Sequence, residues 1–167
     1  MDNRKKLTFL ADADLHGKRS VFKGLAHHAR HRDVDLINLN MKRYVFHDVP
    51  FTGYQYSNPF AGGDFEKSEE QQNEYLVKLS ELIDSSTVLV NHNPCYGILD
   101  EPDKGRHEGG RQLFDLCSKI NPKYHLSCHI HESAGVEGNH FNVAYPKGKS
   151  KLKMEYYSGE YGFIKVN

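Results

Sequence analysis

Aspartate and histidine side chains follow three apolar, strand-like segments of this 167-residue chain. The segments 7–11, 87–90 and 124–128 have the composition of strands, and polar residues come soon after each of them. These polar residues are Asp14, His16, His92, His129 and His131. In open α/β sheets, ligands and catalytic groups gather beyond the carboxyl ends of the strands. Because carboxylate and imidazole groups suit zinc, iron, nickel or manganese, the sequence predicts one metal-centred site, and phosphoester hydrolysis is the chemistry that we expect there.

The same residues resemble motifs of calcineurin-like metallophosphoesterases. Segment 14–17 is similar to the D-x-H motif that follows the first strand of that family. Segment 91–100 resembles the family's later strand-end histidine with its loop, and segment 129–131 resembles the closing G-H-x-H. The order of the motifs matches, and the similarity continues from about Val45 to the last residue. The resemblance implies an α/β fold, a metallophosphoesterase-like layered β-sheet sandwich flanked by helices, in a single domain over residues 1–167.

The chain departs from the family pattern between Gly17 and Lys42. Family members carry a G-D-x-x-D segment and a G-N-H-D or G-N-H-E segment, and neither occurs in this sequence. The resemblance implies that the first supplies a carboxylate bridging two metals, and the second an asparagine ligand and the histidine that protonates the leaving group. Cys128 stands where the family has glycine. We therefore expect a fold that is reduced in its amino-terminal half by an internal deletion.

The missing bridging carboxylate bears on the number of metal ions. Two dications about 3.5 Å apart repel by roughly 20 kcal/mol at an effective dielectric near 20, so a two-metal site depends on a bridging anion. One divalent ion (Mn, Zn, Fe or Ni) is therefore expected rather than two. Asp14, His16 and His131 would hold it, with His92 or His129 completing the site, unless Asp or Asn residues between 33 and 40 replace a lost ligand.

A metal-dependent phosphoesterase is the function that these residues favour, acting on phosphomonoesters or phosphodiesters with Asp14 and His92 as catalytic residues. Without the acid histidine, turnover should be slow and should favour good leaving groups, since general acid catalysis contributes about 10²–10⁴-fold. The alternative is a non-catalytic binding or scaffold module of the same fold. A second copy could also supply the absent ligands, which makes a homo-oligomer possible.

Two arginines near a predicted helix start are candidates for substrate binding. Arg106 lies in a polar, glycine-containing loop over 100–110, and Arg111 opens the following helix. The amino end of a helix can hold a phosphate through free backbone amides. A flexible surface loop is the alternative interpretation, and the sequence leaves both open.

Composition gives no support for several classes of partner. Lys and Arg total 22 against 22 acidic residues, so no global charge indicates nucleic acid or an anionic membrane. The sequence has no long apolar run for a membrane span, and residues 1–6 lead into a strand rather than a signal-peptide core. We expect a cytoplasmic protein. Its three cysteines, Cys95, Cys117 and Cys128, are predicted to be reduced thiols.

Local patterns predict the elements that position these residues. Ser68 with Gln71 predicts a capping box, and a helix follows it to about residues 84–86. A second helix should bury Leu113 and Cys117 and stop before Pro122. Further strands are predicted over 35–39, 44–46, 51–54, 141–145, 152–157 and 161–166, and a first helix over about 18–32. His125 is expected to pack within its strand, and Cys128 to be a buried structural thiol.

Overall fold

The computed structural model describes residues 38–46, 48–60 and 62–144, with the backbone of two short strands outside these ranges. In chain order the elements are β1 (Lys6–Leu7), β2 (Tyr44–Phe46), β3 (Val49–Tyr54), α1 (Glu69–Ser80), β4 (Val88–Asn91), α2 (Arg111–Ile120), β5 (Tyr124–Ser127), a 3-10 helix (His131–Ser133), β6 (Gly135–Glu137), β7 (His140–Asn142) and β8 (Tyr156–Tyr157). Strands β2 to β7 form one six-stranded sheet, and β1 pairs with β8. A mixed sheet with helices agrees with the predicted α/β class.

The order of the strands explains where the helices lie. The large sheet runs β2-β3-β4-β5-β7-β6, with β3, β4, β5 and β7 parallel and an antiparallel strand at each edge. The chain steps from β3 through α1 to β4, and from β4 through α2 to β5, in the same direction. Because such crossovers are right-handed, both helices cover the same face of the sheet. The carboxyl ends of β4 and β5 therefore lie side by side at one edge.

The sheet is buried on both faces along β4. Val88 and Leu89 are adjacent and are both 0% exposed, as expected for a central strand of a parallel sheet. Leu89 packs with Leu79 and Leu113 of the two helices, whereas Val88 packs on the opposite face with Leu126. The core thus has two layers that the strand alternation separates.

The predicted capping box of α1 is confirmed, but the helix ends about one turn earlier than predicted. Gln71 N–H donates to the Ser68 hydroxyl, and the Gln71 side chain accepts from Ser68 N–H. The helix ends at Ser80, because the backbone then tightens into a turn in which Leu82 N–H donates to the Leu79 carbonyl. Ile83 packs on the core although it lies beyond the helix. Its apolar side chain fits the helical spacing, which is why the predicted helix was too long.

The second helix ends as predicted, before Pro122. Asn121 adopts a left-handed conformation with φ 52° and donates its N–H to the Cys117 carbonyl, which is a common way to end a helix. The strand after His140 is shorter than predicted, because the Asn142 side chain accepts from Ala144 N–H and turns the chain.

Strand β6 was not predicted from the sequence. It pairs with β7 in a hairpin in which Glu137 faces His140 across the turn Gly138–Asn139, and Gly138 has φ 58°. A glycine followed by asparagine between two short strands is a recognised hairpin signal, so the pattern was present in the sequence.

Several predicted elements lie outside the described residues. These are most of the strand 7–11, the helix over 18–32, most of the strand 35–39, most of the strand 152–157 and the strand 161–166. The predicted reduction of the amino-terminal half falls there too. Within the described ranges, neither helix is long and apolar enough to cross a bilayer.

Candidate functional site

His92 is held between two neighbouring strands at the carboxyl end of β4. Its N–H donates to the Tyr54 carbonyl of β3 at 3.1 Å, and its carbonyl accepts from Cys128 N–H, beyond β5, at 3.1 Å. The ladder of the sheet therefore continues one residue past β4. Because both sides of the His92 backbone are bonded, its half-buried ring has a defined place at this edge of the sheet.

His129 is held in a backbone conformation that histidine rarely adopts. Its φ is 71°, and Ile130 N–H donates to the Cys128 carbonyl at 2.8 Å. A hydrogen bond across three residues around a positive φ is the mark of the strained γ-turn. Such left-handed residues cost of order 1–3 kcal/mol and cluster at functional sites. The turn brings the ring of His129 to 4.6 Å from that of His92, between ring centroids.

Cys128 contacts the imidazole and the backbone of His92. Its sulfur is fully buried and lies 3.2 Å from both the Nδ1 and the carbonyl oxygen of His92. We assign the S–H to the carbonyl, so that the sulfur accepts from Nδ1–H. In that tautomer Nε2 of His92 carries the lone pair that a metal ion requires. The prediction that Cys128 is buried is confirmed, and its contact with His92 adds a positioning role.

Phe60 packs beside His129 at this edge of the sheet, and sequence reasoning missed this contact. Its ring lies 4.8 Å from that of His129 in an edge-on arrangement, although 67% of the residue is exposed. An exposed aromatic ring beside two histidines is a surface on which part of a ligand could stack. Its place within the stretch after Val45 that resembles the family was the available signal.

The remaining predicted ligands are placed differently. His131 begins the 3-10 helix and is half-buried, so the chain leaves the strand direction between His129 and His131. Asp14 and His16 lie outside the described residues. The structure thus brings His92 and His129 together, while ligation by the full set of five residues stays a prediction.

The two arginines predicted to bind substrate have different surroundings. The Arg106 guanidinium is 2.7 Å from a Glu108 carboxylate oxygen and 3.4 Å from one of Asp103. The Arg111 guanidinium instead lies 3.6 Å above the ring of Tyr96, at the first residue of α2. Stacking of this kind uses the face of the guanidinium and leaves its N–H edge for an anion.

The loop before α2 is organised around a buried carboxylate. Asp100 is 1% exposed and accepts from Gly97 N–H, Gly109 N–H and His107 Nδ1 at 3.0, 2.9 and 2.7 Å. The hydrogen bond to Asp100 holds the pKa of His107 above its ordinary value. Gly109 packs so closely that a Cβ there would lie 2.5 Å from the Cys95 backbone. These contacts order the loop, and sequence reasoning did not anticipate them.

A second cluster of ligand-type side chains lies under the helices. Cys95, Cys117 and His125 are all buried, and one ligand atom from each lies within 4.8 Å of the others. These three residues form a group that could hold a metal ion. Sequence reasoning missed it, because the residues come from a loop, a helix and a strand with no recognisable spacing. The prediction that His125 packs within its strand is confirmed, and all three cysteines of the chain are free thiols.

Comparisons with known proteins give one related sequence and a related fold. The chain is 32% identical over 102 residues to a curated UPF0046 protein of Caenorhabditis elegans. That alignment covers 60% of this chain and 33% of the relative, so the chain spans about a third of the curated relative's length. A crystal structure with 16% sequence identity matches 89% of this chain and 60% of its own, with a TM-score of 0.58. No family model matches the chain.

Proposed function

We propose that this chain is a calcineurin-like, metal-dependent phosphoesterase with a reduced metal site, acting on a phosphorylated small molecule or a phosphodiester. The observation that carries the proposal is the meeting of His92 and His129 at adjacent strand ends, 4.6 Å apart between ring centroids. A strained turn at His129 would be costly to maintain for an ordinary surface histidine. The UPF0046 sequence is related to this chain and the solved structure shares its fold, and neither gives an activity.

The described residues fit a divalent ion. The contact of Cys128 with Nδ1 of His92 is the kind of outer hydrogen bond that fixes the ligating tautomer of metal-bound histidines. His92 and His129 would contribute two imidazoles, and Asp14, His16 and His131 are the proposed further ligands. When bound, a divalent ion supplies Lewis-acid activation of a water molecule and of a phosphoryl oxygen.

The protein's own groups have separate tasks in this proposal. His92 is oriented, because its backbone is bonded on both sides and its Nδ1 lies 3.2 Å from the Cys128 sulfur. Arg111 is the better placed of the two arginines to bind a substrate phosphate, since Arg106 is already paired with carboxylates. Phe60 shields one side of His129 from solvent and offers a ring face to the organic part of the substrate.

A non-catalytic phosphate-binding module is the second candidate. The absence of both family motifs between Gly17 and Lys42 favours it, because the bridging carboxylate and the acid histidine are thereby lost. In this version the same edge of the sheet binds a phosphorylated ligand without turning it over.

The test is hydrolysis of aryl phosphate monoesters and diesters with added manganese, nickel, zinc or ferrous iron. His92→Ala and His129→Ala should each lower the rate by about 10–100-fold or more, as loss of a ligand or of its support does. Glu137→Gln, on the exposed edge strand β6, is the control and should match wild type. Equal activity in all four proteins would overturn the proposal. Ligand binding without hydrolysis by any metal-loaded form would support the binding module instead.

A further inference from the structure

Three buried side chains from separate elements converge beneath the helices. Cys95 lies in the loop after β4, Cys117 in α2 and His125 in β5, and they are 1%, 5% and 1% exposed. The sulfur of Cys95 is 3.6 Å from Nδ1 of His125. The catalytic proposal above makes no use of this cluster.

The spacing of these atoms matches a tetrahedral zinc site. With Zn–S near 2.3 Å and Zn–N near 2.0–2.1 Å, tetrahedral angles separate a sulfur from a nitrogen by about 3.6 Å and two sulfurs by about 3.8 Å. The sulfur-to-nitrogen value equals the distance from the Cys95 sulfur to Nδ1 of His125. All three pairs of ligand atoms lie within 4.8 Å, so the other two pairs need only small movements to reach tetrahedral distances. Zinc could enter with little repacking of the core.

The charges also balance. Two thiolates and a neutral imidazole cancel the charge of a divalent ion, so the buried assembly carries no net charge and avoids the cost of burying one. Burial lowers the pKa of His125 to about 3, with help from the neighbouring His140, so the ring is neutral as a ligand must be. The contact with Cys117, together with burial, raises the pKa of Cys95. Binding therefore releases the thiol protons to solvent.

The nitrogen of His125 that lies 3.6 Å from the Cys95 sulfur is Nδ1, which is therefore the candidate ligand atom. Nδ1 of His125 lies 3.0 Å from Nδ1 of His140, while Nε2 is buried without a hydrogen-bond partner among the described residues. Zinc on Nδ1 would take the place of the hydrogen bond between His125 and His140.

We propose that Cys95, Cys117 and His125 bind a structural zinc ion that ties the loop after β4 and helix α2 to β5. This site is separate from the proposed phosphoesterase centre and does not depend on it. Metal binding by side chains that come together only in the folded chain contributes directly to folding free energy. Zinc would supply a cross-link between the loop after β4, helix α2 and strand β5.

The decisive measurement is X-ray absorption at the zinc edge on Cys128→Ala protein that has been produced with zinc and desalted. In this background the only thiols are Cys95 and Cys117, so the expected result is two sulfur neighbours at about 2.3 Å. Cobalt substitution should also give thiolate-to-cobalt charge-transfer absorption. Zinc surrounded by nitrogen and oxygen alone, or protein without zinc, would overturn the proposal even if further variants fail to fold.

Variants separate this site from the catalytic one. His129→Ala should retain the sulfur-bound zinc, whereas Cys117→Ala should lose one zinc per chain and unfold at a lower temperature. A charge-transfer band that persists in Cys117→Ala would refute the assignment. Because two thiol protons are released, the apparent zinc affinity should fall by a factor approaching about one hundred per pH unit on acidification. An affinity that does not change with pH would also refute thiolate ligation.

Discussion

Replacing His129 by glycine and by alanine tests the strained turn that places its ring beside His92. Both variants lose the imidazole, so their difference in stability reports the backbone alone. Alanine retains the cost of φ 71°, which is of order 1–3 kcal/mol for left-handed and related strained residues, whereas glycine adopts this region freely. Against this, glycine loses more freedom on folding. We expect His129→Gly to be more stable than His129→Ala by about 1 kcal/mol.

Urea unfolding followed by circular dichroism, with a chelator present, measures this difference without a metal contribution. With a slope of about 1–3 kcal/mol per molar urea, the midpoint of the glycine variant should lie roughly 0.3–1 M above that of the alanine variant. The matched control is Glu132, which lies in the adjacent 3-10 helix and has no positive φ. There the order should reverse, with alanine more stable than glycine.

One result would refute the reasoning. If alanine at position 129 is as stable as glycine or more so, while the Glu132 pair behaves as expected, the left-handed turn is absent in solution. The approach of His129 to His92 would then have no defined cause, and the geometric support for the catalytic proposal would be lost.

Three other perturbations test local contacts of the fold. Gly109→Ala should lower stability by about 1–3 kcal/mol, since its Cβ would lie 2.5 Å from backbone atoms; thermal unfolding at the wild-type temperature would contradict this. Arg43→Lys should cost about 1 kcal/mol in urea, because one ammonium cannot copy the guanidinium contacts, including 2.6 Å to Asp84; an unchanged midpoint would count against it. The stability that His107 gains from Asp100 is complete below its ordinary pKa and is lost as pH rises through the raised pKa; an NMR titration should show the pKa of His107 falling in Asp100→Asn.

Much of the fold was predictable where local patterns decide it. The capping box at Ser68, the stop before Pro122 and the strand at Tyr44–Phe46 depend on neighbours in sequence, and all three are present. The predicted end of α1 was wrong, because the apolar spacing continues through Ile83 although the helix ends at Ser80. Periodicity reports which side chains face the core, and it does not report whether the chain that carries them is helical.

The site was predictable only as far as strand ends determine it. His92 and His129 follow adjacent parallel strands, so their meeting follows from topology. The contact of Cys128 with His92 depends on the turn after β5, and the cluster at Cys95 depends on how α2 lies against the sheet. Neither the Cys128 contact nor the Cys95 cluster corresponds to a recognisable residue spacing in the sequence. Asp14 and His16, which carry the D-x-H resemblance, lie outside the described residues.

The buried zinc centre should affect the catalytic centre, whereas the catalytic centre should not affect the buried zinc centre. Cys95 lies three residues after His92, and His125 lies four residues before His129, so the buried cluster joins the two segments that carry the catalytic histidines. Losing zinc there would loosen both strand ends and should lower phosphoesterase activity, although no zinc ligand contacts the substrate in this proposal. Removing His129, by contrast, changes only a side chain at the edge of the sheet and leaves the core packing of α2 on β5 intact. Activity should therefore depend on the buried site, whereas zinc occupancy of the buried site should not depend on activity.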